Sequence, residues 1–447
     1  MMPPTDFGPK FDQALAMMLE AIAERGALSA PSLDSSSMQA ELAELASLRG
    51  RPAFFPYLGS GIGRGARVML ADGRWILDLT LGIGVHLFGH GNPDLIGTAI
   101  RAAASDLVMQ GNLIFNREYI ALMRTLLAHA PAGMANCWLS LSGADANENA
   151  LKLVRQRRGG RPGIIAFRHC FHGRTTAMAE ITDRPDYRLG QPPTFPVHYI
   201  PFYDCNDPGS SAGSLVQLQS IIREHGGSTA AFIVELVQGE AGFVTAPREF
   251  FVPLFEECRH AGIPIWIDEV QTFARTTELF ATDWLKLAEY VDVITIGKVF
   301  QGSAMLMREG FTPDPSLISG TYSGATVPMA VAIRIIEKLT TERFFGPDGR
   351  EKQIERSTRE HLGRLARAHP GQINAIDGVG AMIAFRLGDG TLKATREFIQ
   401  RCFAAGLALY YGGHEPACIR LFLPVVITEE ELTEAFAIMD RCLEVIS

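Results

Sequence analysis

The chain has 447 residues, 47% of them hydrophobic, and a net charge of −8 with no basic stripe, which argues against nucleic acid as the main partner. Its seven cysteines stand singly, with no CxxC pair and no metal-type spacing, so neither a disulfide framework nor a cysteine metal centre is expected. No stretch has the apolar length to span a bilayer and the start lacks a signal-peptide pattern, so the sequence reads as that of a cytoplasmic protein.

From the N-terminus, Phe11 to Glu24 has the pattern of an amphipathic helix packed on the body or on a second subunit. "SAPSLDSSSMQ" (29–39) reads as a surface linker. "GIGRGA" (61–66) fits the dinucleotide pattern GxGxxA. That fingerprint needs a strand before it and a helix after it, so that the helix N-terminus meets the pyrophosphate; here a proline-containing stretch precedes and a hairpin follows, so it is set aside. The hairpin is "RVMLADGRWILDL", two apolar runs around Asp72-Gly73.

From about residue 140 the rhythm alternates. "GIIAF" (163–167), "VHYIPF" (197–202), "AAFIVELV" (230–237), "IPIWID" (263–268) and "VDVITIG" (291–297) are strand-like, and "SLVQLQSIIREHG" and "REFFVPLFEECRHAG" are helix-like, the second closed by Gly262. Such alternation implies an α/β fold, a mostly parallel sheet flanked by helices, with ligands bound beyond the carboxyl ends of its strands. The tail mixes helices and short strands, ends in a helix with Thr428 and Glu431 at capping-box spacing, and reads as a smaller α+β domain packed with the N-terminal hairpin. The chain is thus divided into a helix and linker (1–50), the first part of a small domain (51–85), a large domain (86–335) and a C-terminal small domain (336–447).

Two strand ends carry chemistry. Asp268 closes a run apolar enough to be buried on both faces, where a carboxylate needs a partner. Lys298 follows another such run and a glycine. A lysine there is ordinarily a solvated strand end. Paired with a neighbouring acid it has a second reading: a Schiff base with pyridoxal phosphate, whose pyridine nitrogen an Asp keeps protonated. In "SLSGADANENALKLVR", Ser142, Gly143 and Ala144 lead into an amphipathic helix, with Asp145 three residues after Ser142. The stretch reads either as an ordinary capped helix or as a phosphate cradle.

The ordered series "GHGNPDLIGTAI", "SGADANENALKLVR", "FHGRT", "VELVQGEAG", "IDEVQT", "IGK", "GTYSGA", "IRLFLP" and "ITEEEL" resembles the class III aminotransferases, pyridoxal-phosphate enzymes of fold type I, from about Gly59 to the C-terminus. The resemblance implies that Lys298 is the Schiff-base lysine and proton shuttle and Asp268 the partner of the pyridine nitrogen. It implies that Gln271 bonds the ring hydroxyl, Val270 and Phe171 cover the two ring faces with His172 beside them, and Ser142, Gly143 and Ala144 hold the phosphate. Thr321 would reach that phosphate from a second subunit, making the active unit a homodimer. Glu240 and Arg420 match a switch in which the arginine is masked, then freed to clamp the α-carboxylate of glutamate or 2-oxoglutarate. Arg174 resembles an arginine for a donor carboxylate, and Tyr57 or Phe55 would line the substrate entrance. Core, turn or surface roles are the alternatives for Phe171, Val270, Thr321 and Arg174, and a purely structural ion pair is the alternative for Glu240 and Arg420.

The implied activity is ping-pong transfer of a terminal amine from an ω-amino acid (ornithine, acetylornithine, lysine or 4-aminobutyrate) to 2-oxoglutarate. The alternatives are an aminomutase, a pyruvate-dependent transaminase, or a cofactor-binding protein with little catalysis. Three departures from the family pattern fall near the site rim. "TFARTTELF" is one residue short, with Ala274 and Thr277 where glycines are expected, so the loop is expected to take another path. "VFQGSAML" lacks a glycine run and proline, and Leu236 stands where proline is common.

Overall fold

The computed structural model describes residues 7–25, 33–107, 113–413 and 416–444. The chain forms two compact units, one of Asp106–Lys352 with Asp377–Gly380, the other of Met1–Ser105, Gln353–Ile376 and Ala381–Ser447.

The first unit is built on a seven-stranded sheet. Its strands are β1 (Met134–Ser140), β2 (Gly163–Phe167), β3 (Val197–Ile200), β4 (Thr229–Val234), β5 (Ile265–Glu269), β6 (Val293–Ile296) and β7 (Ser303–Arg308). Their spatial order is β1-β7-β6-β5-β4-β2-β3. The β2, β3, β4, β5 and β6 neighbours pair in parallel, and β7 runs antiparallel to both β6 and β1. Every residue of β2, β4, β5 and β6 is buried, as near-continuous apolar runs require when both faces are covered. The helix Gly143–Arg157 lies against the sheet through Ala150, Leu151, Leu153 and Val154, in one cluster with Ile233, Trp266, Val293 and Met305. The helix Arg248–His260 ends where Gly262 takes φ +62 and its amide returns to Arg259 O, the left-handed termination that glycine favours.

In the second unit the hairpin forms as expected, with Arg67–Leu70 antiparallel to Trp75–Asp78 around Gly73 at φ +86. Residues 61–64 of the GxGxxA stretch lie in a strand, Gly59–Arg64, paired with Arg67–Leu70, so no helix follows that could receive a pyrophosphate. Leu407–Ala408 from the tail joins this sheet beside Trp75–Asp78. The helix Pro9–Arg25 packs on Pro93–Ala103 of its own chain, with Arg101 bonded to Asp12 at 2.6 Å and a Cβ on Gly97 meeting Leu19. The linker expectation needs correcting where the residues are described. Asp34 caps a helix over Ser35–Arg49 by accepting from Ser37 N at 2.8 Å, so the serine run opens a helix; residues 29–32 lie outside the described residues. Thr428 and Glu431 exchange reciprocal bonds of 3.1 Å at the start of Glu429–Glu444.

Candidate active site

Successive residues of a strand face opposite sides, so the two carboxylates at the end of β5 have separate environments. Glu269 is fully buried and accepts from the amides of Ala281 (2.7 Å) and Thr282 (2.9 Å) and from the hydroxyls of Thr282 (2.6 Å) and Thr272 (3.2 Å). It holds the chain downstream of the strand. Burial still pushes its pKa up to about 7 against those donors.

Asp268 points the other way into a polar cluster. One carboxylate oxygen, Oδ2, accepts from Asn147 Nδ2 and His172 Nδ1, each at 2.8 Å; the other, Oδ1, accepts from Val270 N at 3.0 Å. Asn147 also donates to His172 O at 2.8 Å, so a helix residue one turn beyond Gly143 locks the "FHG" segment and the β5 carboxylate together. His172 is fully buried: desolvation opposes its charged form, Cys170 and Asp268 favour it, and the net pKa lies well above the ordinary histidine value. Burial raises the Cys170 thiol too, so Asp268 is the charge that holds the imidazolium. Glu235 completes the layer, accepting from Phe171 N (2.9 Å) and Gly239 N (3.1 Å), with its pKa raised by burial to about 7.

The cradle and both strand ends meet at van der Waals distance. A Cβ on Gly143 would lie 2.4 Å from Val270 Cγ1, one on Gly297 would lie 3.2 Å from the same carbon, and one on Gly173 would lie 2.8 Å from Ala144 Cβ. Only glycine permits this convergence. Ser142 is a true N-cap, accepting from Asp145 N at 3.2 Å while Asp145 takes Leu141 N at 2.9 Å. The Gly143 and Ala144 amides thus open the helix beside Val270 and Gly173. Gly143→Val is expected to destabilise this unit by about 1–3 kcal/mol through overpacking and to weaken retention of an anion there, measured as a lower denaturant midpoint and faster loss of a bound phosphate ester on dialysis.

Lys298 follows β6 through Gly297, is half-buried and sits at φ +49, a left-handed backbone that costs a non-glycine residue about 1–2 kcal/mol. Ala274 takes φ +57, so the loop expectation is corrected: at this position alanine adopts the glycine-like conformation itself, and its amide bonds Leu279 O at 2.8 Å. The next residue, Arg275, is wholly buried; desolvation lowers its pKa to about 10 against the charge of buried Glu351.

Ser142, Gly143, Ala144, His172, Asp268, Val270 and Gln271 thus belong to one connected region of the first unit, joined by the contacts above and by Gln271 packing on Gly239. Phe171 belongs to it through its amide, and its ring stands edge-on to Tyr187 with centroids 6.0 Å apart. Arg174 is exposed with its guanidinium over Tyr187, and Thr321 is exposed on a bend. Glu240 sits in the turn between Val237–Gln238 and Val244–Thr245. In the second unit, Arg420 is buried in the strand Cys418–Phe422, donating to Tyr411 O at 3.0 Å. Tyr57 there packs on Phe403 and beneath Arg74, in a cluster that includes Phe55.

Comparison with known proteins decides the family: the aminotransferase class-III profile matches residues 60–443. The chain is a class-III aminotransferase. A 2-aminoadipate transaminase of Pseudomonas putida is 33% identical over 407 residues, covering 85% of this chain and 94% of that protein. An acetylornithine aminotransferase of Gloeobacter violaceus is 29% identical over 393 residues, covering 85% and 91%. Among solved structures, a lysine aminotransferase from M. tuberculosis superposes with a TM-score of 0.80 at 22% identity, over 91% of this chain and 100% of that one, which shows the shared fold.

Class-III aminotransferases depend on pyridoxal phosphate, and the residues of this aminotransferase fit that group. Buried Gln271 Nε2 and Asn147 Oδ1 have no hydrogen-bond partner among the described residues, as expected of atoms facing a polar ligand. A glycine-opened helix N-terminus lies beside them for a phosphate. Asn147 and Glu235 join the site without being part of any motif quoted from the sequence for their own chemistry. Their signal was there, an amide one turn into the cradle helix and an acid inside the apolar run "AAFIVELV". Among the described residues no helix is long and apolar enough to cross a membrane.

Proposed function

We propose that this aminotransferase takes the terminal amine of an ω-amino acid and passes it to 2-oxoglutarate in two half-reactions at one site. The observation that carries the reading is the Asn147-His172-Asp268 cluster, packed through Val270 against Gly143 and Gly297 and so set beside Lys298. Pyridoxal phosphate, when bound, supplies an electron sink that stabilises negative charge at the amine-bearing carbon.

The residues supply binding and proton handling. The Gly143 and Ala144 amides and the Ser142 hydroxyl take the phosphate, with the helix dipole favouring the anion. Asp268, fixed on three sides, keeps the proton on the pyridine nitrogen, and Gln271 Nε2 donates to the ring hydroxyl oxygen. Val270 and Phe171 cover the ring faces and exclude water. Lys298 Nζ would hold the cofactor through its aldehyde and, once displaced by the donor amine, would act as the base that takes the proton from the amine-bearing carbon and as the acid that gives it back. Thr321 of a second copy completes the phosphate site in a homodimer.

Arg420 clamps the α-carboxylate of glutamate and 2-oxoglutarate, and Glu240 masks it while a donor presents its terminal amine. The relative named for acetylornithine supports the terminal amine. A second reading, a donor whose amine adjoins a carboxylate, is favoured by the Pseudomonas putida relative, named for 2-aminoadipate. Incubation with ornithine, acetylornithine, lysine, 4-aminobutyrate and 2-aminoadipate, each with 2-oxoglutarate, tests both. Glutamate formed fastest from a terminal amine supports the first reading, fastest from 2-aminoadipate the second, and none from any donor rejects 2-oxoglutarate as acceptor. Arg420→Ala is expected to weaken the 2-oxoglutarate half-reaction by roughly 30-fold or more and the amine half-reaction far less; equal losses would contradict the switch.

A further inference from the structure

The arginine of the "FHGRT" segment is held in an unusual way. Arg174 is exposed, and its guanidinium carbon lies 3.7 Å from the centre of the Tyr187 ring. Among the described residues no hydrogen bond or ion pair of its side chain accompanies that stack. A guanidinium lying on an aromatic ring uses its flat face and keeps its N–H groups in the plane, pointing outward. Arg174 is therefore fixed in place while its donors stay available.

The ring that fixes it is itself tied down. Tyr187 lies in the turn Pro185–Arg188, its amide bonded to Arg184 O at 3.0 Å. Arg188 braces that turn by donating to the carbonyls of Ala179, Glu180 and Thr182. The edge of Tyr187 meets Phe171 at 90° with centroids 6.0 Å apart, and a second guanidinium, that of Arg184, lies 5.2 Å from its centre. Two cations thus share one aromatic ring at the rim of the segment that carries Phe171 and His172. Their mutual repulsion is relieved by an anion, and a carboxylate is the anion that matches the in-plane fork of Arg174.

From this we infer that Tyr187 is a positioning residue that sets donor specificity: it holds Arg174 flat and outward so that the guanidinium receives a carboxylate of the amino donor. The inference rests on the proposed transfer from an amino donor at this site and on the family resemblance that gives Arg174 a donor carboxylate; it adds the residue that makes Arg174 selective. Tyr187 touches no reacting atom and affects how tightly a carboxylate-bearing donor is held.

The test uses the holoenzyme and two matched donor pairs, ornithine against putrescine and lysine against cadaverine, each pair differing by one carboxylate. With Tyr187→Leu, KM for ornithine and lysine should rise by about three- to thirty-fold with kcat nearly unchanged. KM for putrescine and cadaverine should not move, and the visible absorbance of the bound cofactor should be retained. Tyr187→Phe keeps the aromatic face and should stay within twofold of the parent, which guards against mistaking misfolding for loss of the stack. Arg174→Ala should reproduce the Tyr187→Leu pattern. If Arg174→Ala raises KM for the carboxylate donors but Tyr187→Leu does not, the arginine works without the ring and the inference fails alone. If Arg174→Ala changes nothing, or neither carboxylate donor is turned over by the parent enzyme, the underlying reading of Arg174 fails with it. Equal effects of Tyr187→Leu on both members of a pair would make the ring merely structural.

Discussion

Lys298→Ala is expected to lower transamination by about 10⁴-fold while the protein stays folded. Alanine meets the same left-handed backbone penalty at φ +49 that lysine already bears, so little stability should change. The loss would come from removing the amine proposed to move a proton at the amine-bearing carbon. Lys298→Arg separates charge from proton transfer: it keeps a cation but cannot release its proton near neutral pH, so it should be as inactive as alanine. Millimolar ethylamine should restore part of the activity of Lys298→Ala, since a free amine can enter the space of the missing side chain, and none of the activity of Lys298→Arg. Stopped-flow measurement of each half-reaction checks this; Lys298→Ala with activity within tenfold of the parent would sink the assignment.

The second large effect is expected at Asp268. Asp268→Asn should cost on the order of 10²–10³-fold in kcat, with the cofactor still retained because Gly143, Ala144 and Gln271 are untouched. The amide cannot hold a protonated ring nitrogen by charge. It also sets its own donor against Asn147 Nδ2, His172 Nδ1 or Val270 N, which now all donate to the carboxylate. The His172 pKa should fall in this variant, because the carboxylate that favours the imidazolium is gone, and histidine proton resonances followed against pH would show it. An unchanged kcat together with an unchanged His172 titration would mean that Asp268 is only structural.

The buried acids add a pH dependence of stability. Glu235 and Glu269 keep their protons in the folded state up to about 7, whereas in the unfolded chain they release them near 4.5. The folded state therefore binds more protons between these values. Stability should fall as pH rises from about 4.5 to about 7, with the loss complete above that. Denaturant midpoints at half-unit pH steps measure the slope, and Glu235→Gln should flatten part of it.

The parts of this architecture with local signals could be read from the residues alone. Apolar runs gave β2, β4, β5 and β6, a Gly and an Asp marked the hairpin at 72–73, and capping chemistry placed the start of Glu429–Glu444. β1 and β7 carry no such local signal. "MANCWLS" mixes polar and apolar residues without a clean period, and "SAMLMR" follows closely on the Lys298 segment with no turn signal to set it off as a separate strand. Their pairing is antiparallel and spans more than 160 residues of sequence, from Ser303 to Ser140, which no local window reports. Of the proposed site residues, Asp268 stands out in the sequence because a carboxylate is costly at the end of a buried run, whereas Lys298 and Gly143 gain their proposed roles only beside it and within the ordered family motifs. Asn147 and Glu235 carry a weaker signal, because a helix amide and an acid just past the end of β4 gain meaning only once the fold brings them to His172 and Phe171. At the rim loop the residue type and the backbone disagree: alanine at 274 disfavours a left-handed backbone, yet Ala274 adopts one at φ +57.

The central claim is that the amine after β6 and the carboxylate ending β5 face one pyridoxal phosphate. Borohydride treatment of the holoprotein fixes that cofactor to the amine it is bound to, and peptide mass spectrometry then locates it. The account predicts the reduced cofactor on the peptide containing Lys298, in near-stoichiometric amount, and on no other lysine. Label on a different lysine, or a protein that takes up none, would contradict it.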